Sequence, residues 1–237
     1  MIHIKRRKFL IPINEFYFYD SVLDIRPNLG LINIFIQAKN ATGNGKNKKI
    51  STLLIDLKQD EDKIFSNIKK KFRYDIRQAW KNNITFNWNL KPSIQNINEF
   101  CSFYNSFAKQ AGVGKSNKIK LKILQKENSL ILSTAQSDDG RKLVMHALIS
   151  DGVRVRLLYS GSLHRLVAKE DRDLIGKANK ALHWHEIVQS KKSNADYYDF
   201  GGISTDDSTK NIDKFKLSFC GDRVIEFNSM FLYRRQQ

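Results

Sequence analysis

The apolar and polar positions divide the chain into short alternating runs and three longer helical stretches. Apolar runs at Phe16–Tyr19 and Leu29–Ile36 are broken by Arg26-Pro27-Asn28, which predicts two strands joined by a turn. A polar loop at Ala41–Lys49 precedes a third strand, Ser51–Leu57. From Glu61 to Asn82, Ile64, Ile68, Phe72, Ile76 and Ala79 recur at helical spacing, which predicts one helix. Its other face carries Lys69, Lys70, Lys71, Arg73, Arg77 and Lys81. Ile84, Phe86, Trp88 and Leu90 alternate as in a half-buried strand.

Pro92 marks a break. A second helix begins near Ser93 or Asn96, with Asn96 and Glu99 at capping-box spacing. Ile97, Cys101, Tyr104, Ala108 and Ala111 form its buried stripe, and Gly112-Val113-Gly114 ends it. Ile119–Gln125 is ambiguous and favours helix. Leu130–Ala135, Leu143–Ser150 and Val153–Ser160 predict an antiparallel meander with turns at Ser137-Asp138-Asp139-Gly140 and Asp151-Gly152. A third helix, Asp171–Gln189, places Leu174, Ala178, Ala181, His185 and Val188 on one face. The apolar run ending at Phe200 meets Gly201-Gly202, a strand reaching a corner without side chains. A polar loop, a short helix with Ile212, Phe215 and Phe219 on one side, and a strand at Val224–Tyr233 complete the chain.

Strand Val153–Ser160, helix Asp171–Gln189 and strand Ala195–Phe200 form a βαβ unit, which requires a parallel strand pair beside the meander. The expected class is α/β (α+β), a mixed sheet flanked by helices. The expected division is a reduced N-terminal lobe at 1–91 and a second lobe at 92–237.

Composition changes this picture at the margins. With 237 residues and 41% hydrophobic content the chain can bury a substantial core. No apolar run approaches the roughly 20 residues of a membrane span. No signal-peptide segment follows the basic start, which leads to a cytoplasmic expectation. Cys101 and Cys220 are too few for a disulfide framework, and neither has a partner at metal-ligand spacing. The net charge of +17 suits nucleic acid, an anionic membrane surface or phosphorylated small molecules; it also follows from a Lys-, Asn- and Ile-rich composition. Gly43-x-Gly45 with Lys46 lacks the spacing of a phosphate-binding loop and reads as a hairpin tip.

Three motifs carry a resemblance. Arg172-Asp173-Leu174-Ile175-Gly176-Lys177-Ala178-Asn179-Lys180-Ala181-Leu182-His183-Trp184, then Tyr198-Asp199-Phe200-Gly201-Gly202, then Phe215-Lys216 with Phe219-Cys220-Gly221, resemble the FemAB/FemX-like branch of GNAT-fold proteins. That branch contains peptidoglycan-bridge aminoacyltransferases and related acyltransferases of envelope-polysaccharide pathways. Two departures stand out. The family's usual F-G-G is here Phe219-Cys220-Gly221, and the chain lacks the helical-hairpin insertion of the two-lobed aminoacyl-tRNA enzymes. The glycine-rich pyrophosphate loop of ordinary GNAT enzymes is also missing.

The resemblance implies that an acyl carrier enters between two splayed parallel strands. Backbone at Leu157, Leu158, Tyr159, Ser160 and Gly161 would then hold the carrier, with Arg165, Lys169, Arg172 and Lys177 as candidates for its phosphates. Acyl-CoA is the expected co-substrate, with acyl carrier protein or aminoacyl-tRNA as alternatives, and no metal. Lys216 is implied to act at the substrate or transition state. His183 belongs to the family-like motif and is expected to face the site. His183 and His185 differ by two and make a poor metal pair on a helix. His146, in mid-strand, is either a satisfied core histidine or a catalytic base. Asp199 orients an amine or a sugar hydroxyl, or caps the loop beyond. Trp184, Tyr198, Gly201, Gly202 and Phe215 are expected to line the acceptor side.

Three functions follow. The first is an N-acyltransferase acting on an amino group of a phosphate-bearing sugar nucleotide or lipid-linked sugar in envelope-polysaccharide biosynthesis. The second is an aminoacyl-tRNA-dependent transferase. The third is a non-catalytic basic nucleic-acid-binding module, whose sign would be steeply salt-dependent binding.

Overall fold

The computed structural model describes residues 1–8, 10–19, 32–41, 45–204 and 210–232. In chain order the strands are β1 Ile2–Lys8, β2 Ile11–Tyr17, β3 Ile32–Ala38, β4 Lys46–Asp56, β5 Thr85–Asn89, β6 Leu130–Gln136, β7 Lys142–Ser150, β8 Arg154–Ser162, β9 Tyr197–Ile203 and β10 Asp222–Leu232. The helices are α1 Glu61–Asn67, α2 Lys70–Lys81, α3 Ile94–Ala111, α4 Lys118–Lys126, α5 Lys169–Lys192 and α6 Lys210–Leu217. The class is the expected one, a mixed sheet with flanking helices.

Two compact units emerge, one made of Met1–Leu53, Gly202–Asp213 and Arg223–Gln237, the other of Leu54–Gly201 and Lys214–Asp222. They do not coincide with the expected division at 91/92, because α1, α2 and β5 pack within the second unit. Residues near the C-terminus fall in the first, where β10 pairs antiparallel with β3.

In the first unit the strand order is β1-β2-β3-β10-β4. The basic start, for which no element was expected, forms β1 and pairs antiparallel with β2. β2 and β3 pair parallel, so they are not the hairpin expected from Arg26-Pro27-Asn28. That tripeptide and Gly43 lie outside the described residues. Phe16, Phe35 and Ala38 form the core, with Phe231 stacked on Phe35 at 5.6 Å between ring centroids.

In the second unit the order is β9-β8-β7-β6-β5. β5 to β8 are antiparallel neighbours, and β8 and β9 run parallel. β7 reads Leu-Val-Met-His-Ala-Leu-Ile and is buried on both faces, so its run is continuous rather than alternating. α3 starts at a capping box formed by Ser93 and Asn96, each side chain accepting from the other's backbone N–H, and ends at left-handed Gly112. The expected pair Asn96–Glu99 is not the box; Glu99 forms an ion pair with Lys142.

The helix expected over Glu61–Asn82 is two helices. Ile68 and Lys69 are extended, and the Lys69 N–H donates to Ser218 O at 3.0 Å instead of continuing the helix. The apolar spacing survives the break, since Ile64, Ile68, Ile76 and Ala79 are all buried. α5 is longer than expected and buried on more than one side. Ile175, Leu182, His183, Trp184, Glu186 and Ile187 join Ala178 and Ala181 inside, while His185 is only half-buried. No described helix is long and apolar enough to cross a membrane.

Candidate active site

The parallel ladder between β8 and β9 has three residue pairs and stops at Arg156 and Asp199. Both strands continue, β8 to Ser162 and β9 to Ile203, so they diverge at their C-terminal ends. On its other side β8 stays paired with β7, with one irregularity: Leu148 faces Leu157 but Ala147 faces Tyr159. Leu158 is the extra residue of a β-bulge. Beyond it the register shifts by one, and Ser160 falls opposite His146.

Ser160 and His146 therefore share the face covered by α5. His146 is fully buried; its Nδ1 lies 2.8 Å from Glu186 Oε1, and its Nε2 lies 2.9 Å from Ser160 Oγ and 3.1 Å from Asn179 Oδ1. The Tyr198 hydroxyl donates to Glu186 Oε2 at 2.6 Å and accepts from His183 Nδ1 at 2.9 Å. His183 Nδ1 is also 3.3 Å from Glu186 Oε2. Glu186 thus collects three donors in the interior. Burial pushes its carboxyl upward, but the neighbouring His146 and the hydrogen bonds from His146 and His183 outweigh that and hold it well below the usual range. Burial, then the neighbouring His146, holds His183 down at about 4. Burial and the Glu186 carboxylate keep the Tyr198 phenol well above its ordinary value, so it remains a donor.

An aromatic wall closes one side of the cluster. His183 lies 5.0 Å from Phe200, 5.5 Å from Phe215 and 5.6 Å from Phe219, measured between ring centroids. Lys216 is half-buried, and its positive charge is one of the influences that lower His183. The short helix thus brings Phe215 and Lys216 to the histidines of α5.

Several expected site residues stand elsewhere. Asp199 is fully buried: its Oδ2 accepts from Arg154 Nε at 2.9 Å and its Oδ1 accepts from the Gly201 N–H at 2.7 Å. Of the roles weighed for it, capping the turn is the one with a visible bond. Trp184 is buried, with its ring 4.8 Å from Phe65, and Tyr198 is wholly enclosed, so neither lines an open acceptor surface. Gly201 has φ +73°, a conformation that disfavours side chains, and Gly202 follows it exposed. Tyr159 and Gly161 face α3: the Tyr159 ring lies 4.9 Å from Tyr104, and its hydroxyl accepts from the Asn117 N–H. Leu157 and Leu158 are half-buried on the diverging edge. Arg165, Lys169 and Arg172 are exposed where the chain enters α5, and the charges of Arg172 and Arg165 add to burial in lowering His164 nearby. Lys177 pairs with Asp173 at 2.6 Å along the helix.

Glu186 and Asn179 were missed. His183 and Glu186 stand at i,i+3, a spacing that places them on one helical face, and Asn179 is four residues before His183. Arg154 and Arg156 were missed as well; Arg156 Nε is buried 3.9 Å from Asp199 Oδ2.

His146, His183 and Glu186 also bring three potential metal-donor atoms within 4.8 Å of one another. A histidine–carboxylate set suits a divalent transition metal. Here, however, the facing nitrogens already lie at hydrogen-bond distance from Glu186 and Tyr198, so a cation would have to displace those protons. His185 is outside the group; it stacks on Phe86 at 5.2 Å.

Solved structures share this fold. FemX aligns with TM-score 0.61 and 12% identity over 76% of this chain and 61% of its own. The chain therefore shares the fold of FemX. The DUF2156 domain ending a protein of Agrobacterium fabrum assigned as a lysylphosphatidylglycerol synthetase aligns at TM-score 0.63 and 11% identity. That match covers 96% of this chain and 80% of the domain. L-PGS from Bacillus licheniformis aligns at TM-score 0.56 and 14% identity, over 83% of this chain and 67% of its own. The chain thus spans about three-fifths of FemX. No family model and no curated protein matches the sequence. Within the FemX-like fold, the β8–β9 divergence lies on the face where α5 carries the buried histidines.

Proposed function

We propose that this chain is an acyl-group transferase, moving an activated acyl group from a thioester or ester carrier to an amine. The observation that carries the reading is the end of the β8–β9 ladder at Arg156 and Asp199, next to Ser160 and the buried His146–Glu186 pair. Such transfer needs a polarised carbonyl, a neutral amine and a proton path to the leaving group. Backbone of β8 beyond Arg156 offers polar groups to the carbonyl. The half-buried Lys216 offers a cation for developing negative charge. The exposed Arg165, Lys169 and Arg172 suit the phosphates of a carrier such as CoA. An amino group on a phosphate-bearing sugar is the acceptor that fits a chain of net charge +17.

The second reading takes an aminoacyl-tRNA as donor. It is favoured by the fold shared with FemX and L-PGS and by the basic residues at the start and along α2, where Lys69, Lys70, Lys71, Arg77 and Lys81 are exposed. The test is a donor panel of acetyl-CoA, acyl carrier protein thioesters and aminoacyl-tRNAs, offered with amino-sugar acceptors and read by product mass. Transfer from one donor class selects between the readings. Tight, salt-steep binding of generic RNA with no transfer would leave only the nucleic-acid-binding alternative.

A further inference from the structure

We propose that Ser160 is a nucleophile, activated by His146 and Glu186, and that transfer passes through an acyl-serine enzyme. This rests on the transferase reading above and adds a covalent step to it.

The geometry is that of a nucleophile, a base and a group that orients the base. Ser160 Oγ is 2.9 Å from His146 Nε2, and His146 Nδ1 is 2.8 Å from Glu186 Oε1. An ionised Glu186 accepts from Nδ1–H, which leaves the Nε2 lone pair to accept from the serine hydroxyl. Asn179 Oδ1, 3.1 Å from the same Nε2, is placed to accept a hydrogen bond from Nε2–H once the ring becomes an imidazolium. The three residues come from β8, β7 and α5, and their convergence depends on the Leu158 bulge.

A purely structural reading accounts less well for this cluster. Ion-pairing arginines and lysines usually accompany buried carboxylates, and a buried charge kept only for packing costs stability. The hydrogen-bond partners of Glu186 are two histidines and a tyrosine. His183 stands 4.5 Å from His146, and burial first holds it down at about 4, so it stays neutral beside the base. Ser160 itself is half-buried, on the stretch of β8 that has left β9, where a carrier can reach it.

The step balances as follows. Ser160 Oγ attacks the carbonyl carbon of the thioester or ester while its proton moves to His146 Nε2. The tetrahedral intermediate expels the carrier's thiolate or alkoxide, which takes the proton from His146. The amine then attacks the acyl-serine ester, His146 accepts the amine's surplus proton, and that proton returns to Ser160 as the C–O bond breaks.

A fluorophosphonate, which reacts with base-activated serines whatever the natural carrier, provides the test. The full-length protein should gain one adduct by intact mass, mapping to Ser160 and absent from Ser160→Ala. His146→Gln should slow labelling by about a hundredfold or more, the scale of a general base. Because His146 is buried, Ser160→Cys serves as a second variant: at a half-buried position it keeps a nucleophile and should be acylated by p-nitrophenyl acetate in place of the serine. An unlabelled wild type, or equal labelling of Ser160→Ala, overturns the proposal. Transfer from the donor panel separates the two readings. If Ser160→Ala still acylates the amine, the covalent step is wrong and the transferase stands. If wild type is labelled at Ser160 yet transfers nothing, the serine chemistry stands and the transferase reading fails.

Discussion

Asp199 is the last residue of β9 paired with β8, and its carboxylate holds Arg154 through Nε at 2.9 Å and Nη2 at 2.8 Å. The same carboxylate receives the Gly201 N–H, so one buried side chain fixes both the end of the ladder and the turn that follows. The separation of the two strands starts at this ion pair.

Asp199→Asn should therefore act on stability first. It removes the Asp199 charge from beside the Arg154 guanidinium, 10% exposed, and breaking a buried pair from one side costs about 3–5 kcal/mol. Denaturant melts of Asp199→Asn check this. A variant of wild-type stability with transfer abolished would instead make Asp199 a substrate ligand.

The Phe219-Cys220-Gly221 turn predicts opposite effects at adjacent positions. Cys220 has φ +56°, a left-handed conformation that is costly for any residue with a Cβ, so Cys220→Gly should stabilise by about 1 kcal/mol. A Cβ on Gly221 would overlap the Leu54 carbonyl oxygen and lie 2.7 Å from Ile55 Cδ1, so Gly221→Ala should destabilise by about 1–3 kcal/mol. Thermal melts of the two variants should move in opposite directions; a shared direction would contradict this backbone geometry.

Much of this fold was legible because its signals are local. Apolar periodicity located the meander, the βαβ unit and the helix over Lys118–Lys126, and the glycine corner marked where β9 turns. What failed was non-local. The kink at Ile68–Lys69 exists because Ser218, far along the chain, offers a carbonyl. β1 and the parallel β2–β3 pair depend on partners that no local pattern names. In the site, His183 was legible from its motif, but its link to His146 was not. A regular hairpin with Ser150 opposite Val155 would place Tyr159 across from His146; the Leu158 bulge puts Ser160 there instead. Glu186 went unseen because a carboxylate beside Trp184 and His185 gives no sign in sequence of being buried.

Lys216 should matter for rate more than for stability. It is half-buried at the end of α6, so Lys216→Ala removes little core volume and should leave the melting temperature nearly unchanged. Each 1.36 kcal/mol of lost transition-state stabilisation lowers turnover about tenfold. Lys216→Arg should rescue poorly, since a planar fork does not replace a compact ammonium. Removing this cation should also raise the His183 pKa, which NMR titration of the imidazole reads directly. Equal transfer rates and an unmoved His183 would remove Lys216 from the site.

Acid should unfold the protein through His183 before the carboxylates contribute. In the fold, burial first, then the neighbouring His146, hold this imidazole at about 4, below the 6.5 of an ordinary histidine. Between those values the unfolded chain binds a proton that the folded chain refuses. Unfolding therefore takes up protons, and stability falls as pH falls. The His183 contribution is complete above 6.5, declines across the window and is lost near 4, with an amplitude of about 3 kcal/mol. Glu186 is shifted the same way, and its contribution, present above the normal carboxylate range, is lost only at lower pH. Exposed His164 and half-buried His185 are lowered too, so the share of His183 is read as a difference. His183→Phe keeps a ring among Phe200, Phe215 and Phe219 and removes the titration. Its unfolding free energy, measured by denaturant from pH 7 to pH 4, should fall less steeply than that of the wild type. Parallel curves would mean that His183 is protonated in the folded protein and that the neutral, Tyr198-bonded imidazole described here is wrong.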